Sequence, residues 1–171
     1  MNGLIKPLEC DRLVTVLIVY DSKTGNTEKM AFEVAEGARQ VNGVNVIAKK
    51  VDQTAIKDLL KADGIIIGSP TYYGQMSAKI KALIDESVEI HGDLEGKVGA
   101  AFTSSGGTAS GAETTLLSIL EAILVHGMII QGNPHSKHYG AATVGSPNDK
   151  ELTFCRELGE RTARLVLNLK K

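Results

Sequence analysis

Val14-Thr15-Val16-Leu17-Ile18-Val19-Tyr20-Asp21-Ser22-Lys23-Thr24-Gly25-Asn26-Thr27 is the stretch whose reading decides the fold. Val14, Val16, Leu17, Ile18 and Val19 form a nearly continuous apolar, mostly β-branched run, the composition of a strand buried on both faces. A short polar loop rich in hydroxyls follows at once. Beyond it Met30, Val34, Ala38 and Val41 recur at helical spacing. Strand, hydroxyl loop and helix together are the layout of a phosphate site, because the first amides of a helix have no intrahelical partner and its dipole favours an anion there. Ser22, Thr24, Asn26 and Thr27 add side-chain donors. The loop is neither G-x-x-x-x-G-K-[ST] nor G-x-G-x-x-G. On this segment alone, a phosphate loop and an ordinary turn with an Asn or Thr cap both stand.

The remaining chain narrows the choice. With 171 residues it is long enough for one domain with a full core, and its formal charge of −1 gives no broad field toward nucleic acid or an anionic membrane. No apolar stretch reaches spanning length, and Met1 to Arg12, mixed in polarity and interrupted by Pro7, has no signal-peptide core. We expect a cytoplasmic protein with a surface extension at 1–12 and a single domain at 13–171. Cys10 and Cys155 have no motif spacing and read as two free thiols, with a disulfide between them left open.

Apolar strand patterns continue at Val44 to Val51, Ala62 to Gly68, Val98 to Thr103 and Met128 to Ile130. Helical patterns lie between them at about Thr54 to Lys61, Ser77 to Val88 and Ala112 to Val125. The last of these is apolar nearly all round, and burial is its default reading. Gly132 to Gly145 reads as irregular, and Ser146-Pro147 as the cap and first turn of a final helix. Strict alternation of β and α implies an α/β fold with a parallel sheet covered by helices on both sides, and five strands fit a common three-layer, doubly wound sheet of order 2-1-3-4-5.

In that order the first, third and fourth strands adjoin, so the loops leaving their carboxyl ends converge, where ligands of such sheets bind. The loops are Ser22 to Thr27, Ser69 to Met76 and Ser104 to Gly111. Tyr72 and Tyr73 place half of the chain's four tyrosines in the second loop, where a flat conjugated ligand would stack. Gly74 permits close backbone approach. The third loop is glycine-rich and uncharged, suited to the polar edge of a ring. His135 and His138 lack a third ligand, so a metal site is not expected. No G-x-S-x-G elbow occurs. A phosphoacceptor domain of the same sheet order would want an acidic pair after the first strand and an Asp closing the third; Asp21 stands alone and Ser69-Pro70 closes the third.

Ser22-Lys-Thr-Gly-Asn-Thr27, Ser69-Pro-Thr-Tyr-Tyr-Gly-Gln-Met76 and Ser104-Ser-Gly-Gly-Thr108, with His126-Gly127-Met128 and Tyr139-Gly140-Ala141, resemble the flavodoxin-like FMN-binding family. Within it they are most similar to the tetrameric NAD(P)H:quinone oxidoreductases once called tryptophan-repressor-binding proteins. The resemblance implies that Ser22, Thr24, Gly25, Asn26 and Thr27 bind the FMN phosphate. It implies that Pro70, Thr71, Tyr72, Tyr73 and Gly74, with Ser104, Ser105, Gly106, Gly107, Thr108 and Ala109, hold the isoalloxazine and its polar edge. His126 would lie near the flavin, in its own chain or across a subunit interface, and the protein would be a homo-oligomer. The first loop departs toward ordinary flavodoxins: Thr24 stands where the quinone reductases carry an aromatic, and no Trp is present.

Two functions follow. In the first, NADH or NADPH reduces FMN and two electrons pass to a quinone, with Tyr73 or His126 as proton donor. In the second, a flavodoxin-type carrier moves single electrons to a redox-protein partner. A carrier crowds carboxylates around the flavin to separate the two electron steps; the third loop carries none before Glu113, which favours the first.

Overall fold

The computed structural model describes residues 13–170. The extension at 1–12, and with it Cys10 and its pairing, lies outside the described residues. The elements run β1 (Val14–Tyr20), α1 (Asn26–Arg39), β2 (Val44–Lys50), α2 (Ile56–Lys61), β3 (Gly64–Pro70), α3 (Ala78–Glu86), β4 (Val98–Ser105), α4 (Ala112–Val125), β5 (Ile129–Ile130), β6 (Ala141–Val144) and α5 (Asp149–Leu169). Parallel pairing orders the sheet β2-β1-β3-β4-β5, the expected order, with β6 added beside β4.

Period-two alternation within the strands divides the core. Val16, Ile18, Ile66, Ala100 and Phe102 face α1 and α5, while Leu17, Val19, Ile65, Ile67 and Ala101 face α2, α3 and α4. Burying a side chain such as Ile18 or Ile66 fully is worth about 2 kcal/mol each. On the first face α1 and α5 approach so closely that a Cβ at Gly37 would overlap the Arg156 carbonyl, and one at Gly159 the Val34 carbonyl. Glycine at both positions lets the helices touch backbone to backbone, and Arg156 pairs with Glu33 beside the crossing.

Four features differ from the sequence reading. The stretch 132–145 is not wholly irregular, because Ala141–Val144 forms β6, pairing with Phe102 to Ser105. β5 pairs with Val98 and Gly99, so β5 and β6 are two pieces of one edge strand interrupted at 131–140. β3 and β4 run on to Pro70 and Ser105, which puts Ser69, Pro70, Ser104 and Ser105 on strand ends rather than in loops. The last helix starts later than Ser146-Pro147: Asn148 caps it, its side chain accepting from the Glu151 amide at 3.0 Å while Glu151 accepts from the Asn148 amide at 2.9 Å. Finally, α4 buries Leu116, Ile119, Leu120 and Ile123 but exposes Leu117, Leu124 and Val125, so burial covers only part of its apolar circumference.

Candidate functional site

The carboxyl ends of β1, β3 and β4 lie side by side, and the loops leaving them are tied together by short polar side chains. Thr27, in the first turn of α1, is buried and shares a hydrogen bond of 2.8 Å with Ser104 at the end of β4. Thr71 shares one of 3.0 Å with Thr103, whose hydroxyl also bonds the Ser69 carbonyl at 2.7 Å. The Thr71 amide donates to the Ser104 carbonyl at 2.8 Å. Ser69 accepts from the Ser77 amide at 2.8 Å, folding the second loop back onto its own strand. Ser105 donates toward the Gly107 carbonyl at 3.1 Å and the Thr143 carbonyl at 3.3 Å. Several hydroxyls expected to meet a ligand directly thus hold one loop to another.

The first loop ends on Gly25, which sits at the cap of α1 with φ 90°, a left-handed conformation that suits glycine. Ser22 accepts from the Gly25 amide at 3.1 Å, which tightens the turn. No side chain caps the helix. The amides of Asn26, Thr27 and Glu28 therefore have no acceptor among the described residues, at the positive end of a 14-residue helix. A Cβ built at Gly25 meets nothing within 4 Å, so the space above these amides is open.

The second loop closes as a two-residue turn. Tyr72 and Gln75 exchange backbone bonds of 3.0 Å in both directions, and Tyr73 (φ 51°) and Gly74 (φ 74°) between them are both left-handed. A tyrosine there is strained and fully exposed at the tip, while Tyr72 is 42 % exposed. The tip leans on the third loop: a Cβ at Gly111 would lie 2.5 Å from the Gly74 Cα, and one at Gly74 would lie 3.1 Å from the Thr114 hydroxyl. The second and third loops thus meet through two glycines. Gly111 (φ 96°) also begins α4, again with no side-chain cap. Gly106 and Gly107 border open space.

Beside the first loop, Glu28 accepts from the Tyr20 hydroxyl at 3.0 Å and pairs with Lys50 at 2.9 Å. The Lys50 bond holds the Glu28 carboxyl below its usual pKa, while burial and then Glu28 push the Tyr20 phenol up to about 12. This pair spends its charge internally. Neither 69–77 nor 104–112 contains an acid.

His126 does not join these loops within its own chain. It follows α4 at the opposite end of the sheet, just ahead of β5, whose Ile129 pairs with Val98 at the start of β4. The length of β4 separates the two ends, roughly 20 Å. There its Nε2 lies 2.7 Å from the Ser87 hydroxyl. Ser87 donates its proton to the Ile84 carbonyl at 2.6 Å, so Nε2 carries the proton of the imidazole and Nδ1 is a buried acceptor without a partner. Burial, and then His91, lower the His126 pKa. Cys155 is fully buried, and burial pushes its thiol up to about 12. His138 is held by the Asn133 carbonyl at 2.7 Å. Among the described residues no three His, Cys, Asp or Glu side chains gather as a metal site.

What sequence reasoning missed is the framework: the Thr27–Ser104 tie, the Gly74–Gly111 contact, and the second helix start without a cap. The glycine at 111, immediately ahead of a helical pattern, was the available signal for the last.

The family description "NADPH-dependent FMN reductase" matches residues 14–138. A flavodoxin of Aquifex aeolicus is 42% identical over 159 residues, spanning 88% of this chain and 86% of that protein. This chain belongs to the flavodoxin-like FMN-binding family. An NAD(P)H dehydrogenase (quinone) of Archaeoglobus fulgidus is 36% identical over 191 residues, covering 92% of this flavodoxin-like chain and all of the relative (100%). The solved structure of a flavodoxin, WrbA-like protein, from Agrobacterium tumefaciens superposes with a TM-score of 0.78 at 25% identity, over 91% of this chain and 98% of that one. The quinone-reductase resemblance seen in the motifs is thereby supported. This flavodoxin-like protein is an FMN-binding oxidoreductase, and its residues fit the group. Three uncapped amides with open space above suit a phosphate, and the glycines of the third loop suit a ring edge approaching backbone.

Proposed function

We propose that this protein passes two electrons from NADH or NADPH through FMN to a quinone. The observation that carries the reading is the charge of the rim: the second and third loops bring backbone amides, hydroxyls and two tyrosines but no carboxylate. When bound, FMN supplies the redox chemistry, taking up a hydride and handing two electrons on. The amides of Asn26, Thr27 and Glu28, with Ser22 and Thr24, hold its phosphate. Thr71 to Gly74 and Ser104 to Ala109 border the ring. Carboxylates at this rim would oppose negative charge on the ring and make the second electron harder to add; their absence lets both arrive together. Tyr73 on its exposed turn offers a planar acceptor an aromatic face and a phenol proton. The relative named NAD(P)H dehydrogenase (quinone) supports the same direction.

The flavodoxin relative and the Thr24-Gly25-Asn26-Thr27 loop favour a second reading, a single-electron carrier serving a redox protein. The two separate in one anaerobic experiment. FMN-loaded protein is mixed with NADH or NADPH and the visible flavin band is followed. Bleaching by a nucleotide, reversed by adding a quinone, is expected of the reductase. A band unmoved by either nucleotide would overturn that reading in favour of the carrier. Among the described residues no helix is long and apolar enough to cross a membrane, and we place the protein in the cytoplasm as a homo-oligomer on the strength of the resemblance.

A further inference from the structure

Two Glu-to-Arg pairs at i, i+4 spacing follow one another along α5 and behave differently. Glu160 and Arg164 close at 2.6 Å, the ordinary outcome on a helix surface. Glu157 and Arg161 have the same spacing and order, yet their side chains do not close into a hydrogen bond, and Glu157 acts on Arg161 only through its charge. Arg161 instead borders a narrow space beneath the interruption at 131–140, with Phe154 and Gly140, where it is partly buried. Loss of water there lowers its pKa, though a guanidinium remains charged. A partly desolvated guanidinium with no hydrogen-bond partner among the described residues is costly unless something else supplies an acceptor.

The surroundings supply room and further donors. A cleft of about 420 Å³ opens between α5 and the residues after β5; Gln131, Asn133, Glu157, Arg161, Leu165 and Asn168 border it together with the closed Glu160–Arg164 pair. None of these belongs to the three loops of the flavin site. Gln131, Asn133 and Asn168 present side-chain amides, able to donate and accept, and Leu165 forms an apolar wall. The rigid fork of a guanidinium matches a carboxylate in two parallel bonds. Glu157 on the same wall penalises ligands of higher negative charge.

We propose that this cleft is a second binding site, taking a small organic monocarboxylate whose acid group pairs with Arg161 and whose neighbouring hydroxyl or carbonyl bonds the amide of Asn133, which borders the same space. The site is independent of the flavin reading, because it shares no residue with it.

The test titrates ¹⁵N-labelled full-length protein with lactate and follows the Arg161 side-chain N–H and the Asn and Gln side-chain amides. Saturable shifts of these signals are expected, with the loop resonances at 22–27 unmoved. The neutral methyl ester of lactate should produce none, R161Q should weaken the response at least tenfold, and E157Q should strengthen it. Arg161→Lys, which keeps the charge and loses the fork, should weaken it while leaving the remaining spectrum unchanged, so that a folding defect is told apart from a binding defect. Equal shifts with the methyl ester, an undiminished response in R161Q, or tighter binding of inorganic phosphate than of lactate would overturn the proposal.

Discussion

α1 and α4 begin in one way, α3 and α5 in another, although all four helices start at the same end of the sheet. Ser77 accepts from the Ile80 amide ahead of α3, and Asn148 and Glu151 cap each other's amides ahead of α5. Ahead of α1 and α4 stand Gly25 and Gly111, both left-handed and neither able to cap. Side-chain capping is worth about 1 kcal/mol, so each bare start forgoes that stabilisation. The two bare starts are the two that open from the first and third loops. α3 opens from the second loop and still carries its own cap, so the bare starts mark the first and third loops alone, and we read their amides as left for a ligand.

That comparison breaks if the glycines matter for structure alone. The largest effect is expected at Gly111→Val. Its Cβ would meet the Gly74 Cα at 2.5 Å with φ at 96°, which costs roughly 3 kcal/mol in strain and crowding and displaces the tyrosine turn. Thermal unfolding should show the loss, and FMN titration should show weaker binding. Gly25→Val comes next. Nothing crowds its Cβ, so the penalty is conformational, roughly 1–2 kcal/mol, and it falls on the loop that aligns the α1 amides. FMN affinity should drop at least tenfold. Unchanged affinity, measured by fluorescence quenching, would remove the phosphate role of this loop. Asn148→Ala sharpens the contrast from the other side: about 1 kcal/mol lost in denaturant unfolding, with FMN affinity untouched.

The smallest effect lies at the far end of α4, where His126 closes the helix against Ser87. Burial lowers its pKa in the folded protein. The unfolded chain therefore takes up this proton first as pH falls, near the ordinary histidine value of about 6.5. Stability from His126 is complete above that pH and declines below it. A pH series of unfolding midpoints should show this decline, and His126→Gln should flatten it.

These contrasts also mark what could be read from the residues. β1 and its hydroxyl loop were legible because a β-branched run followed by a helical stripe admits few folds. The parallel sheet followed from alternation, and its order matched a common five-stranded doubly wound fold. β6 was hidden because Ala141-Ala142-Thr143-Val144 is too short to show a period and sits among Gly, Pro, His and Asn; only pairing with β4 makes it a strand. The start of α5 was misplaced because Ser146-Pro147 is a strong local signal, yet Asn148 and Glu151 form a reciprocal cap that outweighs it. At the site, residue types were legible and their division of labour was not. Thr27, Thr71 and Ser104 look alike as candidate ligand donors, and only three-dimensional pairing shows Thr27 and Ser104 spent on each other and Thr71 on Thr103.

The interrupted edge strand has a consequence for how molecules of this protein meet in concentrated solution. A continuous exposed strand is a template onto which another chain can add its own ladder. On one margin the sheet offers only Ile129–Ile130 and Ala141–Val144, parted by residues 131–140, so no long ladder can extend from it. The other margin, β2, is seven residues long and ends in Lys49 and Lys50, which pair with Asp58 and Glu28. Charge, rather than a break in the chain, guards that side. Neutralising those two lysines should therefore turn β2 into the margin from which strand-paired aggregates grow.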